Sequence, residues 1–218
     1  FEGIYSPSGT HAARQKSRIV PVTPNTSSNF EPLSPYQENR VFIRNGYQAI
    51  TDSNDSRLIE VPTLQGRPTQ KLHYLAAVRL MILIADAEAA GFSDVRLASG
   101  WRRKRYPTKA EYDAAMIEEY GSVEEGQKWV AYKSAHMTGL CLDFGNNGLY
   151  PTKRTVEKQK QSPFFAWLKE NAHNYGMTPY KREPWHWEVK VPLNNHVSGE
   201  EFTENYAVYV TEKKEEEA

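Results

Sequence analysis

Apolar residues recur at helical spacing in the middle of the chain and predict its helices. Between residues 69 and 91 the pattern predicts a long helix that has Thr69 as its N-cap. Residues 109–120 predict a second helix, and a third follows from Ser122 to about residue 132. A fourth helix is predicted from Ser162, because a capping serine is followed there by a proline.

Shorter apolar runs predict strands. Residues 41–43 and 58–61 flank a polar stretch and predict two extended segments around a turn. Three more extended segments are predicted further along the chain: residues 95–99, 139–144 and 177–180. Residues 151–161 carry several basic side chains and predict a solvated loop. His73, on the long helix, is expected at the surface or at the edge of the core.

Composition divides the chain into three segments. Residues 1–38 are rich in Pro, Ser, Thr and Asn, which predicts an extended arm or linker. Residues 39–200 contain the predicted elements and form one domain, and residues 201–218 are a charged tail. The whole chain has 218 residues, of which 39% are hydrophobic and 25% charged, as expected for one globular core.

Charge and cysteine content exclude several classes of protein. The chain has 27 basic and 27 acidic side chains, whereas a non-specific nucleic-acid binder carries a basic excess. No apolar run approaches the roughly 18 residues of a transmembrane helix. Cys141 is the single cysteine, so an internal disulfide framework is excluded. The chain is expected to be a monomer, and no leader is visible in its sequence.

Two motifs contain the residues with the most specific chemistry. His136 and Asp143 belong to the stretch Ser-Ala-His-Met-Thr-Gly-Leu-Cys-Leu-Asp, and Glu183 and His186 to the stretch Glu-Pro-Trp-His-Trp-Glu. Two imidazoles, a carboxylate and a further carboxylate as base are the parts of a catalytic zinc site. The alternative is that both histidines are buried and hydrogen-bonded and that Glu183 is a surface carboxylate.

The first motif needs a bend if its two polar residues are to meet. On one straight strand the odd spacing of His136 and Asp143 would place them on opposite faces. Gly139 lies between them and allows the backbone to turn. Cys141 and Asp143 would then share one face. For Cys141 a small buried packing residue is favoured over a zinc ligand or a nucleophile.

A basic cluster precedes the first motif. Residues 102–105 read Arg-Arg-Lys-Arg at the end of a predicted strand. Such a cluster is usually solvated, but the planar guanidinium of one of its arginines could hold a peptide carboxylate in a bidentate pair.

These motifs together resemble those of the zinc D-alanyl-D-alanine carboxypeptidases of the VanY type, in the LAS group of peptidases. The resemblance covers about residues 98–189. It includes Ser-Gly-Trp-Arg, which ends at Arg102 and is usually Ser-Gly-Tyr-Arg in the family, and the Ser-x-His-x-x-Gly-x-x-x-Asp pattern. It also includes Trp-Leu-Lys-Glu-Asn-Ala with a following Tyr-Gly, in the helix before Glu-Pro-Trp-His.

The resemblance implies a set of roles for single residues. One zinc ion would have three ligands: His136, Asp143 and His186. Glu183 corresponds to the catalytic base, and Arg102 to the arginine that polarises the scissile carbonyl or binds the substrate. Ser134 and Trp185 are expected to bind substrate. The implied fold is α+β, with a small, mainly antiparallel sheet flanked by helices.

Several positions depart from the family pattern. Ala135 replaces an acidic residue that is common before the first histidine, and Cys141 replaces the usual alanine. Pro107 stands where a glutamine is often found, and Trp187 and Glu188 replace a frequent Arg-Tyr pair. The predicted ligands and base are intact, so these departures affect the expected peptide preference more than hydrolysis itself.

The expected function is hydrolysis of D-amino-acid-containing stem peptides of peptidoglycan, in the bacterial cell envelope. The first hypothesis is a D,D-carboxypeptidase that removes the terminal D-alanine. The alternatives are an L,D-carboxypeptidase, a peptidoglycan endopeptidase, and a non-catalytic module that binds the cell wall and contains a structural zinc.

Overall fold

A computed structural model of the chain describes residues 40–42, 46–146 and 149–199. This part contains two antiparallel sheets. The smaller one pairs two strands: β1 (Leu58–Val61) and β2 (Gln70–His73). The larger one has the order β3-β4-β6-β5 and consists of four strands: β3 (Arg96–Ser99), β4 (Cys141–Gly145), β5 (Met177–Tyr180) and β6 (Glu183–Val189).

Helices connect these strands. The α-helices of the described residues are α1 (Tyr74–Ala89), α2 (Lys109–Tyr120), α3 (Val123–Gly126), α4 (Val156–Lys160), α5 (Pro163–Asn171) and α6 (Leu193–Ser198). Three short segments are 3₁₀-helical: Ala135–Thr138, Lys153–Thr155 and Ala172–Tyr175. The predicted α+β fold with a mainly antiparallel sheet is confirmed. The predicted N-terminal arm and C-terminal tail lie outside the described residues.

The hydrophobic core joins α1 and α5 to the larger sheet. Eleven residues of α1 are buried, including Leu75, Leu80 and Leu83, so this helix is apolar on more than one face. From the sheet, Leu142 and Trp187 belong to the same cluster of buried side chains. Each fully buried leucine contributes about 2 kcal/mol relative to an exposed one. The sheet that carries the polar motifs therefore rests on a rigid apolar layer.

The long helix begins later than its pattern predicts. Residues 70–73 form β2 and pair with β1, with His73 opposite Leu58. The predicted N-cap, Thr69, is therefore wrong, and His73 caps α1 by accepting the backbone N–H of Leu75 at 3.1 Å. His73 is fully buried, which contradicts its predicted place at the surface or core edge. Strand pairing and burial outweigh local helix propensity here.

Three smaller expectations also differ from the structure. Residues 41–42 are helical rather than extended, and residue 43 lies outside the described residues. Helix α3 ends at Gly126, several residues before the predicted end. Residues 153–160 form helical turns where a solvated loop was expected. The helix over 109–120 and the strand segments 58–61 and 177–180 are confirmed.

Candidate metal centre

Adjacent strands of the larger sheet bring the two motifs together. In the antiparallel pair of β4 and β6, Asp143 lies directly opposite His186. On the other side of β4, Ser99 at the end of β3 pairs with Asp143. Directly opposed side chains on one face of an antiparallel pair lie within contact distance. Residues that are far apart in sequence therefore meet because the strands are neighbours.

His136 reaches the same place from the 3₁₀-helical turn before β4. Ser134 caps this turn, its hydroxyl accepting the His136 N–H at 3.3 Å. Gly139 ends it in the left-handed region, with φ +75°. An added Cβ at Gly139 would lie 2.9 Å from the backbone nitrogen of His73, so the position requires glycine for space as well as for φ. The predicted bend at Gly139 is confirmed.

The three predicted ligands form one buried cluster. One potential ligand atom from each of His136, Asp143 and His186 lies within 4.8 Å of those of the other two. His186 Nδ1 is 3.0 Å from Asp143 Oδ1, and His136 Nε2 is 3.2 Å from Asp143 Oδ2. Both histidines are buried and hydrogen-bonded, as the alternative interpretation also expects, but they share the Asp143 carboxylate, and the three side chains together form a donor set for a metal ion.

Hydrogen bonds on the far side of each ring fix which nitrogen faces the cluster. His136 Nδ1 donates to the Gly100 carbonyl oxygen at 2.7 Å, since a carbonyl can only accept, and this leaves Nε2 facing Asp143. His186 Nε2 lies 3.0 Å from Glu188 Oε1, so Nδ1 faces Asp143. Second contacts of this kind orient metal-binding histidines in general.

Burial and mutual charge shift the ionisation of the cluster. Burial lowers the pKa of His136 from its ordinary value. Burial would raise the pKa of Asp143, but the two neighbouring imidazoles outweigh it and hold this pKa well below its usual range. For His186, burial lowers the pKa, but hydrogen bonds to Asp143, Cys141 and Glu188 raise it well above 6.5. The cluster thus contains an ionised carboxylate and a proton on His186 that a bound metal would replace.

Arg102 shows that the cluster accepts a positive group. Its Nη2 donates to Asp143 Oδ2 at 2.7 Å and lies 2.9 Å from His136 Nε2. Its Nε donates to the Ser99 hydroxyl at 2.9 Å. Two of the predicted ligand atoms therefore converge on one cationic nitrogen, as they would on a metal ion. Imidazole nitrogen and carboxylate oxygen are ligands that zinc prefers, so this donor set fits the ion that the motifs predict.

Glu183 lies at the edge of the cluster. Its Oε2 is 3.8 Å from His186 Nδ1, and its side chain is 38% exposed to solvent. Burial raises the pKa of Glu183 from its ordinary value. A half-exposed carboxylate with a raised pKa beside a buried cation-binding group is suited to exchange protons with a substrate.

The structure does not place Trp185 with the other predicted site residues. It lies on β6 between Pro184 and His186, and its side chain is buried. Trp185 lines a small cavity with Phe144 and Phe164 instead. Ser134, by contrast, is half-buried and touches the backbone of His136.

Sequence reasoning missed the contacts of Glu188. This side chain is fully buried and bonds to His186 from the next same-face position of β6. The two-residue spacing from His186 would have identified it if residues 183–189 had been predicted as a strand. Cys141 is also fully buried, and burial raises its pKa to about 12, so it is a thiol at neutral pH. This agrees with the predicted packing role and not with a nucleophile.

Comparison with known families decides which family the chain belongs to. The sequence model of VanY, described as D-alanyl-D-alanine carboxypeptidase, matches residues 69–191, which is more than half of the chain. The chain belongs to the VanY family. This confirms the resemblance predicted from the motifs and with it the class of enzyme, a zinc-dependent peptidase of the carboxypeptidase type that acts on peptidoglycan.

One solved structure shows a similar fold at low sequence identity, and two more match with lower TM-scores. The LdcB LD-carboxypeptidase is 21% identical with a TM-score of 0.50, and the match covers 66% of this chain and 72% of that chain. A mutant of the vancomycin-resistance D,D-pentapeptidase VanY in complex with Zn(II) is 19% identical over 76% of this chain and 90% of that chain, with a TM-score of 0.39. VanYB in complex with D-Ala-D-Ala is 21% identical over 76% and 89%, also with a TM-score of 0.39.

One further comparison found no match, and the structure contains no candidate membrane span among its described residues. Among curated proteins, no significant match to the chain was found. Within the described residues, the helices are too short or too polar to cross a membrane.

Proposed function

We propose that this chain is a D,D-carboxypeptidase that removes the terminal D-alanine from a peptidoglycan stem peptide. The single observation that carries the proposal is the buried convergence of His136 Nε2, an Asp143 carboxylate oxygen and His186 Nδ1, with Glu183 beside them. These three side chains would hold one zinc ion. The ion supplies a Lewis acid that polarises the scissile carbonyl and acidifies water.

Glu183 acts as the proton carrier in this proposal. Its carboxylate takes a proton from the attacking water and passes it to the leaving amine of the terminal residue. Its raised pKa brings it closer to neutrality, which suits a group that must both accept and donate. Its partial exposure gives the peptide access to the carboxylate.

Arg102 and Ser134 position the peptide. The Arg102 side chain is 51% exposed, so its guanidinium can turn from Asp143 toward a substrate carboxylate or carbonyl oxygen. Ser134 lies at the start of the turn that carries His136, and its hydroxyl is a hydrogen-bonding group next to the cluster. Trp185 is not part of this proposal, because it lines a separate small cavity.

An L,D-carboxypeptidase is the second candidate. The position before His136 is Ala135, whose side chain is buried and uncharged, where the family commonly has an acidic residue. The site therefore lacks a negative charge that is common next to the first histidine in the family. Arg102, the predicted clamp for a terminal carboxylate, lies directly at the cluster and supports either carboxypeptidase over an endopeptidase. The D,D activity stays first because the matching family is described as D-alanyl-D-alanine carboxypeptidase.

Digestion of defined muropeptides, resolved by mass spectrometry, tests the proposal. A D,D-carboxypeptidase shortens a pentapeptide stem by one alanine and leaves a tetrapeptide stem intact. Shortening of the tetrapeptide would instead support the L,D activity, and release of larger fragments an endopeptidase. Stoichiometric zinc without cleavage of any muropeptide would favour the non-catalytic binding module.

The substrate also indicates where the protein works. Peptidoglycan stem peptides are displayed in the bacterial cell envelope, so we place the protein there. Fractionation of the native host with an antibody to the chain would test this assignment.

A further inference from the structure

A buried charge network connects the metal centre to the chain that precedes the family-matched region. Glu188 is fully buried, and its Oε1 lies 3.0 Å from His186 Nε2. The same oxygen is 2.8 Å from Nε of Arg40, whose side chain is 17% exposed. The backbone N–H of Val41 donates to the other carboxylate oxygen. Residues 40 and 41 therefore contact both oxygens of the Glu188 carboxylate. These two residues lie outside the family-matched region, residues 69–191.

Arg40 approaches His186 by a second route. Its guanidinium lies over the ring of Tyr180, 4.0 Å from the ring centroid. The Tyr180 ring in turn meets the His186 ring edge-to-face, with centroids 5.6 Å apart. Arg40 thus contacts, through charge and through an aromatic face, two of the side chains that enclose the imidazole of His186.

The chemistry of an Nδ1 ligand explains why this network matters. For Nδ1 to offer its lone pair, Nε2 must hold the proton and point it at an acceptor, and a carboxylate is a strong one. A carboxylate this deeply buried is costly without a counter-charge. Arg40 supplies that charge, and the Val41 N–H adds a hydrogen bond.

A competing interpretation of the same residues is a second metal site. One potential ligand atom from each of Cys141, His186 and Glu188 also lies within 4.8 Å of those of the other two. However, both Glu188 oxygens already contact the segment at residues 40–41. We therefore assign Glu188 to positioning rather than to ligation.

We propose that the Arg40–Glu188 pair positions His186 for metal binding, so that the segment before the family-matched region completes the metal centre. This inference rests on the proposed ligation of zinc by His186. Neither residue touches substrate in the proposal, so both are positioning residues and not catalytic ones.

Zinc affinity of full-length variants tests the inference. Glu188→Gln and Arg40→Gln should both raise the zinc dissociation constant, measured by competition with a chelator, by about 10- to 100-fold, the usual effect of losing such a contact. The double variant should lose little more than Glu188→Gln alone, since the two residues act through one contact. Arg40→Lys should recover part of the affinity because it keeps the charge.

A matched pair elsewhere provides the control. Arg96 and Glu88 lie 3.5 Å apart, both partly exposed, and neither contacts the cluster. Arg96→Gln and Glu88→Gln should leave the zinc dissociation constant unchanged. If Glu188→Gln fails to fold, Arg40→Gln still tests the proposal, because Arg40 lies nearer the surface than Glu188.

Nuclear magnetic resonance separates positioning from general loss of structure. In the zinc-loaded protein, the Nε2 proton of His186 should resonate far downfield because it is bonded to a carboxylate. It should move upfield in Glu188→Gln and not in the control variants. Unchanged zinc affinity together with an unchanged His186 resonance in Glu188→Gln and Arg40→Gln would overturn the inference, even if the wild type cleaves muropeptides. If the two variants bind zinc more weakly but the wild type cleaves no muropeptide, the proposed function alone is refuted and the positioning role stands.

Discussion

Two pairs of buried histidines meet near the turn that carries His136, and they do different things. In the metal centre, the rings of His136 and His186 are 5.1 Å apart between centroids and share the Asp143 carboxylate. In the second pair, His73 and His196 stack with centroids 4.8 Å apart. Both pairs are almost fully buried.

The difference lies in the hydrogen-bond partners. His73 Nε2 lies 2.9 Å from the carbonyl oxygen of His196, and His196 Nε2 lies 2.8 Å from that of Thr138. These neutral backbone partners support uncharged rings, and burial lowers the pKa of both histidines. The metal centre adds carboxylates to the same kind of ring pair. Burial of a histidine pair alone therefore gives no donor set for a metal ion, whereas the shared carboxylate completes the donor set of the candidate metal centre.

Removal of the shared carboxylate should have the largest effect. Asp143→Ala deletes one of three proposed ligands and leaves two buried imidazoles, as in the second pair. We expect loss of stoichiometric zinc, measured by elemental analysis after gel filtration, and loss of muropeptide cleavage. Asp94→Asn, which changes an exposed carboxylate, is the control. Full zinc content in Asp143→Ala would contradict the assigned ligand set.

Glu183→Gln should separate catalysis from binding. The change keeps the size of the side chain and removes the group that carries the proton, so turnover should fall by about 10²- to 10⁴-fold. Zinc content should stay at the wild-type value because Glu183 is not among the proposed ligands. Activity near that of the wild type would show that another group carries the proton.

Gly139→Ala should disturb both histidine pairs, because this glycine lies between them. A Cβ there would be 2.9 Å from the His73 nitrogen and would sit at φ +75°. We expect a loss of about 2–3 kcal/mol in the free energy of unfolding, measured by urea denaturation, together with weaker zinc binding.

Gly91→Ala is the matched control for that variant. Gly91 also has a positive φ, +98°, but an added Cβ would meet nothing within 4 Å. It should lose only the part of the stability that backbone strain accounts for and keep its zinc affinity. Equal effects of the two substitutions would mean that the close approach at Gly139 is unimportant.

The His73–His196 pair should make the free energy of unfolding fall as the pH is lowered. Burial, followed by the nearby His196, lowers the pKa of His73 from 6.5 to about 3. Below about pH 6.5 the unfolded chain therefore binds a proton that the folded chain does not, and stability falls by about 1.4 kcal/mol per pH unit for this group. His73→Gln should reduce that slope between pH 6.5 and 5, measured by urea denaturation.

The metal centre contributes equally to the wild type and the variant in that comparison, so the difference isolates His73. Identical acid slopes would contradict the lowered pKa. A steeper slope in His73→Gln would do so as well, because removing the group can only remove its proton uptake.

The two motifs made most of the metal centre predictable from the amino-acid sequence. His136, Asp143, Glu183 and His186 stand in two short stretches whose residue types allow a zinc site, and the resemblance to the VanY family decided in favour of that site. Arg102 was identified in the same way. Only a few residue types can bind zinc or carry a proton, so positions with these proposed roles can be identified from residue type.

The supporting contacts were not predictable in the same way. Glu188 has a strand-periodicity signal, but Arg40 lies more than ninety residues before the first motif histidine and has no motif of its own. His73 was expected near the surface because its helical pattern began too early. In each case the outcome depended on which strand or segment packs against which, and local pattern does not report that.

The motifs and the family that they resemble thus predicted the class of enzyme and the donor set, and residue spacing predicted the bend at Gly139. Only the tertiary structure decided that Asp143 lies opposite His186 on the neighbouring strand and that Glu188, itself paired with Arg40, contacts the far side of that imidazole. It also decided that Trp185 lines a separate small cavity. The physical reason is that ligand chemistry is a property of single side chains. Ring orientation and counter-charge are set by long-range packing, which forms only when distant segments meet.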